Sequence, residues 1–548
     1  MKKSVLFVLW VLVILAFTAC APRSASTDAP SQTTQECPHE WVEASCKMPS
    51  FCKLCNARQG VALNHEWTEA DCETPRTCLR CGVDTHEVLG HQFDGNSCTR
   101  CGVLYCALYG HSYQLDGCVY CHVLHPSEGL IYTLNDDQQS YGVHSLGTCM
   151  DSVLIIPDTY HGLPVTEFRL MKGATQRIEH IILPESIQKV YPSIFSWLKR
   201  IDVAEDNPFL NSVEGVVYTE DGTELLWCPP RNNGEFIVPS QVTKIGSNAF
   251  QGCKEITAVI LPENLQSIGF GAFLDCYNLT SIVIPEGVTE IEDGVFQSCL
   301  NLRTITLSSR TQRIGSHAFF DCVSLERVEL PQGLTSIGAN AFRGCKALSS
   351  LQLPEGLLRM GSGAFRGCQS LTSITIPDGV TQIADFAFQS CTNLTQIRFG
   401  SGLQSIGEDA FSECIYLQTL ELPEGLLFIG SSAFRKCRRL TAVVIPGSVT
   451  KIGTSAFEDC EKLQTVTLCS GVQRIDSFAF RNCVKLKELA LPNTLEYISD
   501  SVFSRCYQLS VVHFDGTMAQ WEAMNRHKYW AINSAYMQTE CVDGTVYP

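Results

Sequence analysis

The stretch LTSIVIPEGVTEIEDGVFQSC, from Leu279 to Cys299, is one copy of a pattern that the chain repeats twelve times. In every copy a Phe precedes the Cys by three residues, and the Cys recurs every 23 residues without an insertion. Five residues before the Phe stands an Ile, which Met360 replaces once. A fixed period with invariant apolar positions is typical of a solenoid. The repeat cysteines are Cys253, Cys276, Cys299, Cys322, Cys345, Cys368, Cys391, Cys414, Cys437, Cys460, Cys483 and Cys506.

The spacing inside one copy predicts the path of one coil. Three apolar residues in the order L-x-x-I-x-I share one side of a short extended run, as in a leucine-rich repeat strand. Pro285 ends the strand, because proline has no N–H for a further ladder hydrogen bond. Val288 and Ile291 form a second apolar pair, and we expect a short helical or 3₁₀ turn over Phe296 and Cys299. One copy cannot bury these side chains alone, so the fold class is a solenoid with short parallel strands.

The repeats resemble the BspA-type (Treponema-type) leucine-rich repeat proteins of bacterial surfaces. The copies LTSITIPDGVTQIADFAFQSC, residues 371–391, and LTAVVIPGSVTKIGTSAFEDC, residues 440–460, match that family's pattern almost position for position. NPFLNSVEGVVYTEDGTELLWCPP, residues 207–230, resembles the hairpin insertion of such arrays, and FDGTMAQWEAM with CVDGTVYP resembles their C-terminal cap. The resemblance implies a cell-surface binding or adhesion protein and covers roughly residues 130–548.

Composition and spacing divide the chain into six segments. These are a signal peptide with a lipobox-like Cys (1–20), a linker (21–36), a Cys/His-rich repeat module (37–125), degenerate coils with a hairpin insertion (126–252), regular repeats (253–512) and a C-terminal cap (513–548). A chain of 548 residues is too long for one ordinary core, but a solenoid grows in one dimension. The net charge of −17 argues against nucleic acid and against a polybasic membrane contact.

The N-terminal sequence indicates an export signal. MKKSVLFVLWVLVILAFTA has two lysines, an apolar run and small residues before Cys20, as in a secretory signal. The residues FTAC resemble a bacterial lipobox, with Phe17 where Leu is commoner, so we predict that Cys20 is lipidated. The alternatives are ordinary cleavage near Ala19 or an uncleaved anchor. Residues 21–36 are rich in Ser, Thr and Pro and predict a flexible tether.

Residues 37–125 carry a second repeat built on Cys and His. HEWVEASCKMPSFCKLC and HEWTEADCETPRTCLRC share one frame, and two shortened copies follow. A C-x-x-C loop brings two thiolates to one tetrahedral Zn²⁺, and Cys₃His is an accepted structural set. We therefore predict structural zinc. The candidate ligands are His39, Cys46, Cys52, Cys55, His65, Cys72, Cys78, Cys81, His91, Cys98, Cys101, His111, Cys118 and Cys121.

Two questions about this module stay open. Each His could belong to the Cys set after it or to the one before it, and the short copies need Cys106, His122 or His125, or share one site. The other possibility is a disulfide framework, because the protein is exported and the segment holds an even number of cysteines. The in-phase histidines favour metal over disulfides. A catalytic zinc is disfavoured because H-E-x-x-H does not occur and four-ligand sites leave no open position.

The repeat cysteines invite a nucleophile hypothesis, which the pattern disfavours. Their position between Phe and Leu places them in the core, where a free Cys behaves as a small hydrophobe. In the repeat, neither a His nor an acid stands beside the Cys in every copy to activate the thiol. The sequence also lacks G-x-S-x-G and Walker A motifs. We therefore predict that the protein is not an enzyme.

The remaining candidate is the outward surface of the predicted strands. The two positions flanking each middle strand residue face out and carry mostly hydroxyl and amide side chains, without aromatic rings for sugar stacking. We predict that this surface binds proteins of a host or of other bacteria. The alternatives are a structural spacer in the envelope or an enzymatic, redox or zinc-storage role of the N-terminal module. The candidate partner-binding residues are Arg327, Glu329, Gln352, Arg398 and Glu421.

Overall fold

The computed structural model describes residues 126–170, 177–192, 195–534 and 537–547 in full, and earlier in the chain only the backbone of seven short strands. The chain divides into two compact units, residues 1–124 and 125–548. The described strands of the first unit pair antiparallel, in chain order, within one sheet of three strands and two sheets of two strands. They are β1 Trp41–Val42, β2 Ser50–Cys52, β3 Arg58–Gln59, β4 Phe93–Asp94, β5 Ser97–Cys98, β6 Tyr113–Gln114 and β7 Gly117–Cys118.

The second unit begins with coils of irregular length. Its strands up to residue 227 are β8 Ile131–Leu134, β9 Tyr141–Ser145, β10 Val153–Ile155, β11 Thr159–Tyr160, β12 Leu163–Phe168, β13 His180–Leu183, β14 Lys189–Val190, β15 Arg200–Val203, β16 Leu210–Val213, β17 Val216–Thr219 and β18 Glu224–Trp227. Strands β10, β13 and β15 already stack in parallel, whereas β16, β17 and β18 form an antiparallel meander. Trp227 packs against Phe168 and Phe195 and fills the core of these coils.

The regular coils follow, each with one or two very short strands. These strands are β19 Gly234–Ile237, β20 Lys244–Ile245, β21 Ile256–Ile260, β22 Ser267–Ile268, β23 Ser281–Val283, β24 Glu290–Ile291, β25 Thr304–Thr306, β26 Arg313–Ile314, β27 Arg327–Val328, β28 Ser336–Ile337, β29 Arg359–Met360, β30 Ser373–Thr375, β31 Gln382–Ile383, β32 Gln396–Arg398, β33 Ser405–Ile406, β34 Phe428–Ile429, β35 Ala442–Ile445, β36 Lys451–Ile452, β37 Thr465–Leu468, β38 Arg474–Ile475, β39 Glu488–Leu491, β40 Tyr497–Ile498 and β41 Val511–Phe514. The cap adds α1 Met518–Ala523, β42 Asn525–Arg526, β43 Gln538–Cys541 and β44 Gly544–Val546.

The strands form two parallel rows, which confirms the predicted leucine-rich repeat solenoid. The first row contains the L-x-x-I-x-I strands, for example β23 beside β25 and β37 beside β39. The second row contains the two-residue strands that end in the Ile before the Phe, for example β26 beside β28 and β34 beside β36. Side chains alternate across each first-row strand, so the middle Ile is buried while its neighbours are exposed.

The repeated Phe residues stack as one column through the core. From Phe250 to Phe503, successive ring centroids lie 5.0–5.5 Å apart with ring planes within 16° of each other. Near-parallel rings at this separation are offset stacks, a favourable aromatic geometry. Phe236 contacts Phe250 edge-on at one end, and Trp530 contacts Phe503 edge-on at the other. Rings perpendicular to the stack therefore end the column on both sides.

The repeat cysteines form a second column, and each thiol has a defined partner. From Cys276 to Cys506, each Sγ lies 3.0–3.4 Å from the carbonyl oxygen of the Phe 26 residues earlier, to which the thiol donates. The same oxygen also accepts from its own coil, as when Cys368 N–H donates to Phe365 over 3.1 Å. The thiol thus connects one coil to the coil before it.

The segment around Phe and Cys consists of successive turns with i→i+3 hydrogen bonds, such as Cys391 N–H to Phe388 C=O. Across coils, the Phe N–H donates to the residue that precedes the next Phe, as when Phe365 N–H donates to the Ala387 carbonyl. In each of the twelve coils, the residues two before and two after the Phe have positive φ. These left-handed residues interrupt helical geometry, so the closing segment is a chain of turns.

Candidate protein-binding face

The first-row face consists of the two outward positions on each strand of the first row and of the matching positions in coils without a strand. Its members run from Glu235 and Ile237 at the first regular coil to Gln538 and Glu540 in the cap. Parallel registers bring equivalent positions side by side, as with Ser281 beside Thr304 and Ser373 beside Gln396. The repeat therefore arranges these side chains in two columns that follow the whole solenoid.

The structure places all five predicted partner-binding residues on this face with exposed side chains. They are Arg327, Glu329, Gln352, Arg398 and Glu421. Arg327 and Arg398 lie in β27 and β32, whereas Glu421 is joined to the next coil by a single bridge to Val444. The first-row face therefore brings the five residues onto one surface but spreads them over four of five successive coils.

The four charged members of this set have no ion pair or side-chain hydrogen bond with any residue that the structure describes. Several charges elsewhere on the solenoid are paired between coils. Lys436 lies 2.7 Å from Glu413, and this hydrogen bond holds the pKa of the Glu413 carboxyl below its usual range. Arg438 and Glu461 form another such pair, with nitrogen and oxygen 3.3 Å apart. These four charges thus remain available to an external partner.

Sequence reasoning missed an apolar stripe at the N-terminal end of this face. Ile237, Ile260 and Val283 occupy the same outward position in three successive coils, and their exposed fractions are 65%, 47% and 63%. Ile237 and Ile260 are register partners in neighbouring strands. Their spacing of 23 residues was a signal for this stripe. Contiguous exposed apolar side chains with polar neighbours are typical of interaction surfaces.

The repeat cysteines are interior groups without the features of a nucleophile. All twelve are buried and free. Burial raises the pKa of every thiol in the column, and that of Cys391 and Cys506 to about 12. A protonated, inaccessible thiol is inert toward electrophiles. The column therefore serves packing and hydrogen bonding.

The predicted lipidation and metal sites lie outside the residues that are described in full. Of the candidate ligands, Cys52, Cys98 and Cys118 belong to the described backbone of β2, β5 and β7. The other eleven ligands and Cys20 lie outside the described residues. Within the described parts of residues 126–547, His, Cys, Asp and Glu do not gather in a group of three that could hold a metal ion. In those same parts, no helix is long and apolar enough to cross a membrane.

Fold and face together define a leucine-rich repeat solenoid with a long, exposed sheet surface. The sequence model of a protein family, the BspA-type leucine-rich repeat region, matches residues 231–348, 312–441 and 428–524. Together these residues cover more than half of the chain. The chain therefore belongs to the BspA-type leucine-rich repeat family. The family is typically one of non-catalytic scaffolds for protein binding, and this chain is accordingly a protein-interaction scaffold in general terms.

Several solved leucine-rich repeat structures are similar to this chain. A leucine-rich cell surface protein of Faecalibacterium prausnitzii is 23% identical over 73% of this chain and 97% of its own, with a TM-score of 0.39. A leucine-rich repeat protein of Bacteroides ovatus is 24% identical over 61% of this chain and 97% of its own, with a TM-score of 0.45. No curated protein sequence matches this chain.

Proposed function

We propose that this protein is a non-catalytic cell-surface binding protein whose first-row face docks a protein partner in adhesion. The observation that carries the proposal is the set of charges on that face without intramolecular partners, Arg327, Glu329, Arg398 and Glu421. Charged pairs across an interface set specificity and association rate. The hydroxyl and amide side chains between them supply adaptable hydrogen bonding.

The apolar stripe supports the same proposal. Protein interfaces combine a fully buried apolar centre with a polar rim that stays wet. Ile237, Ile260 and Val283 provide the apolar part, and Ser281, Thr304 and their neighbours provide the polar part. A partner that spans several coils would cover both.

The N-terminal segments extend the proposal to the location of the protein. Export, a lipid on Cys20 and a tether over residues 21–36 would hold the binding face away from the membrane's outer surface. Structural zinc in residues 37–125 would let a segment poor in apolar residues fold between tether and solenoid.

A charge swap tests the binding face. The double variant Arg398→Glu, Glu421→Arg leaves the net charge unchanged and reverses the local charge pattern. Beads coated with the protein are applied to animal and bacterial cells, before and after protease treatment of those cells. We expect protease-sensitive adhesion of the wild type and a loss of about tenfold or more in the variant, because reversed charges oppose the partner's charges.

The matched control is the swap Arg438→Glu, Glu461→Arg, which exchanges an exposed ion pair outside the first-row face. The control should adhere like the wild type. Equal adhesion by both double variants would contradict the proposal. If the wild-type beads adhere to none of the cell types, the result would favour an envelope spacer instead.

A further inference from the structure

The C-terminal cap contains a pocket of about 450 Å³ whose lining includes none of the outward residues of the first-row face. Trp521 of α1, Tyr529 and Trp530 of the following turn, and Tyr547 beyond β44 supply aromatic rings to its lining. Trp521 is buried and meets Trp530 edge-on, whereas Tyr529 and Tyr547 are exposed. The pocket therefore has a fixed aromatic base and an accessible aromatic rim.

Arg526 of β42 lines the same pocket and has no internal counter-ion among the described residues. Its guanidinium carbon lies 4.1 Å from the centre of the Trp521 ring, and its Nη1 is buried without a hydrogen-bond partner. Burial lowers the pKa of this guanidinium, and Glu522 only partly opposes that effect. A half-buried cation without an anion costs free energy, which a bound anion would recover.

Lys528 adds a second cation at the rim. Its Nζ lies 4.7 Å from the centre of the Tyr529 ring, and Tyr529 itself is exposed. An anion between Arg526 and Lys528 would contact two cations while the rest of the ligand rests on aromatic rings. Arg is well suited to this role, because its planar fork pairs with both oxygens of a carboxylate.

We propose that this pocket binds an acidic sugar through its carboxylate. Its volume suits one or two sugar rings, since small-ligand pockets begin at about 300 Å³. In this arrangement Arg526 pairs with the carboxylate, and Tyr529 and Tyr547 stack on the apolar face of the sugar ring. The site is distinct from the proposed protein-binding face, because its lining includes none of the outward first-row positions.

The proposal is tested by calorimetric titration of the purified full-length protein with glucuronic acid and N-acetylneuraminic acid, with glucose as the neutral probe. We expect the acidic sugars to bind and glucose to bind at least about tenfold more weakly, because the charged contact is lost. The variant Arg526→Met should lose about tenfold or more in affinity for the acidic sugars. It should unfold at the same or a higher temperature, since it removes a half-buried cation that forms no ion pair with the described residues.

Arg439→Met is the matched control, because Arg439 also lies over an aromatic ring, 4.3 Å from the centre of Tyr416, but outside the pocket. It should leave sugar binding unchanged. Tyr547→Ala, at the exposed rim, should weaken binding without lowering the unfolding temperature. The proposal is overturned if neither acidic sugar binds, if Arg526→Met binds as well as the wild type, or if benzoate binds and the sugars do not.

Discussion

At the scale of the residue, the cysteine of each coil combines small size with a directed hydrogen bond. Alanine in the same place would fill less space, and serine would place a more polar group in an apolar interior. The thiol donates to the Phe carbonyl of the preceding coil, as Cys391 does to Phe365 over 3.2 Å. The residue type is thus explained by packing and by a contact between coils.

The buried thiols predict a steep loss of stability in alkali. Burial raises the pKa of each thiol in the folded chain, and the unfolded value is about 9. The contribution of each thiol to stability is therefore complete below pH 9 and is lost as the pH rises toward the folded value, about 12 for Cys391. Each thiol should remove about 1.4 kcal/mol per pH unit in this range. Denaturant unfolding at a series of pH values measures the slope.

Substitution of one cysteine measures how much its thiol contributes to the fall in stability with pH. Cys391→Ala should lower stability by about 1–2 kcal/mol at pH 7 and should reduce the alkaline slope by one thiol's share. Phe388→Leu, in the same coil, should also destabilise, by about 1–3 kcal/mol, but should leave the slope unchanged. An unchanged slope in Cys391→Ala would show that this thiol titrates equally in both states.

At the scale of the element, the closing turns of every coil depend on two left-handed residues. The positions contain Gly367 in one coil and residues as large as Phe386, Lys436 and Arg505 in others. A side chain in this conformation costs roughly 1–2 kcal/mol relative to glycine. Stacking therefore imposes the turn on residues that do not favour it.

Two substitutions at the same position of the repeat should have opposite effects. Gly367→Ala should destabilise by about 1–2 kcal/mol through backbone strain alone, because the added Cβ would be 3.8 Å from its nearest neighbour. Arg505→Gly should stabilise by about 0.5–1 kcal/mol, since the exposed Arg505 has φ of 63°. Urea unfolding of both variants tests the pair, and the same sign for both would refute the strain argument.

The sequence predicted the solenoid and the first-row strands because Leu, Ile, Phe and Cys each recur in one register. The second-row strands were only an apolar pair in the sequence, since two residues cannot display an alternation. The left-handed positions were not predicted, because Gly, Asn and Asp occupy many of them but Phe386 and Lys436 are unusual in that conformation. The cap pocket could not be predicted either, because Trp521, Arg526 and Tyr547 lie outside the repeat and meet only in the folded chain.

At the scale of the whole molecule, the solenoid is a stack in which each coil contacts its neighbours. The Phe and Cys columns run through twelve coils, while the first-row sheet is divided into three segments, two of which single bridges at Ser350 and Glu421 extend by one coil. The interior columns are thus more continuous than the sheet. The length of the binding face follows from the number of coils.

Removal of one complete coil should preserve the stack. Deletion of Gln369–Cys391, 23 residues, joins Cys368 to Thr392 and keeps every column in register. We expect a folded protein with one cooperative transition at a modestly lower temperature. Deletion of the twelve residues 369–380 shifts the register by half a coil and should abolish cooperative unfolding in that region. Circular dichroism during heating compares the two, and equal behaviour would refute the strict stacking of coils.

The most direct test of the whole architecture is a count of reactive thiols and bound zinc in purified residues 21–548. The account predicts that the twelve repeat thiols are silent in the native protein and react after denaturation. It also predicts about two to four zinc ions per chain, released when the N-terminal cysteines are denatured with a chelator present. The buried column would be contradicted if the repeat thiols react in the native protein, or if they still do not react after denaturation. Absence of metal, with few free thiols beyond those of the repeats, would instead indicate a disulfide framework in residues 37–121.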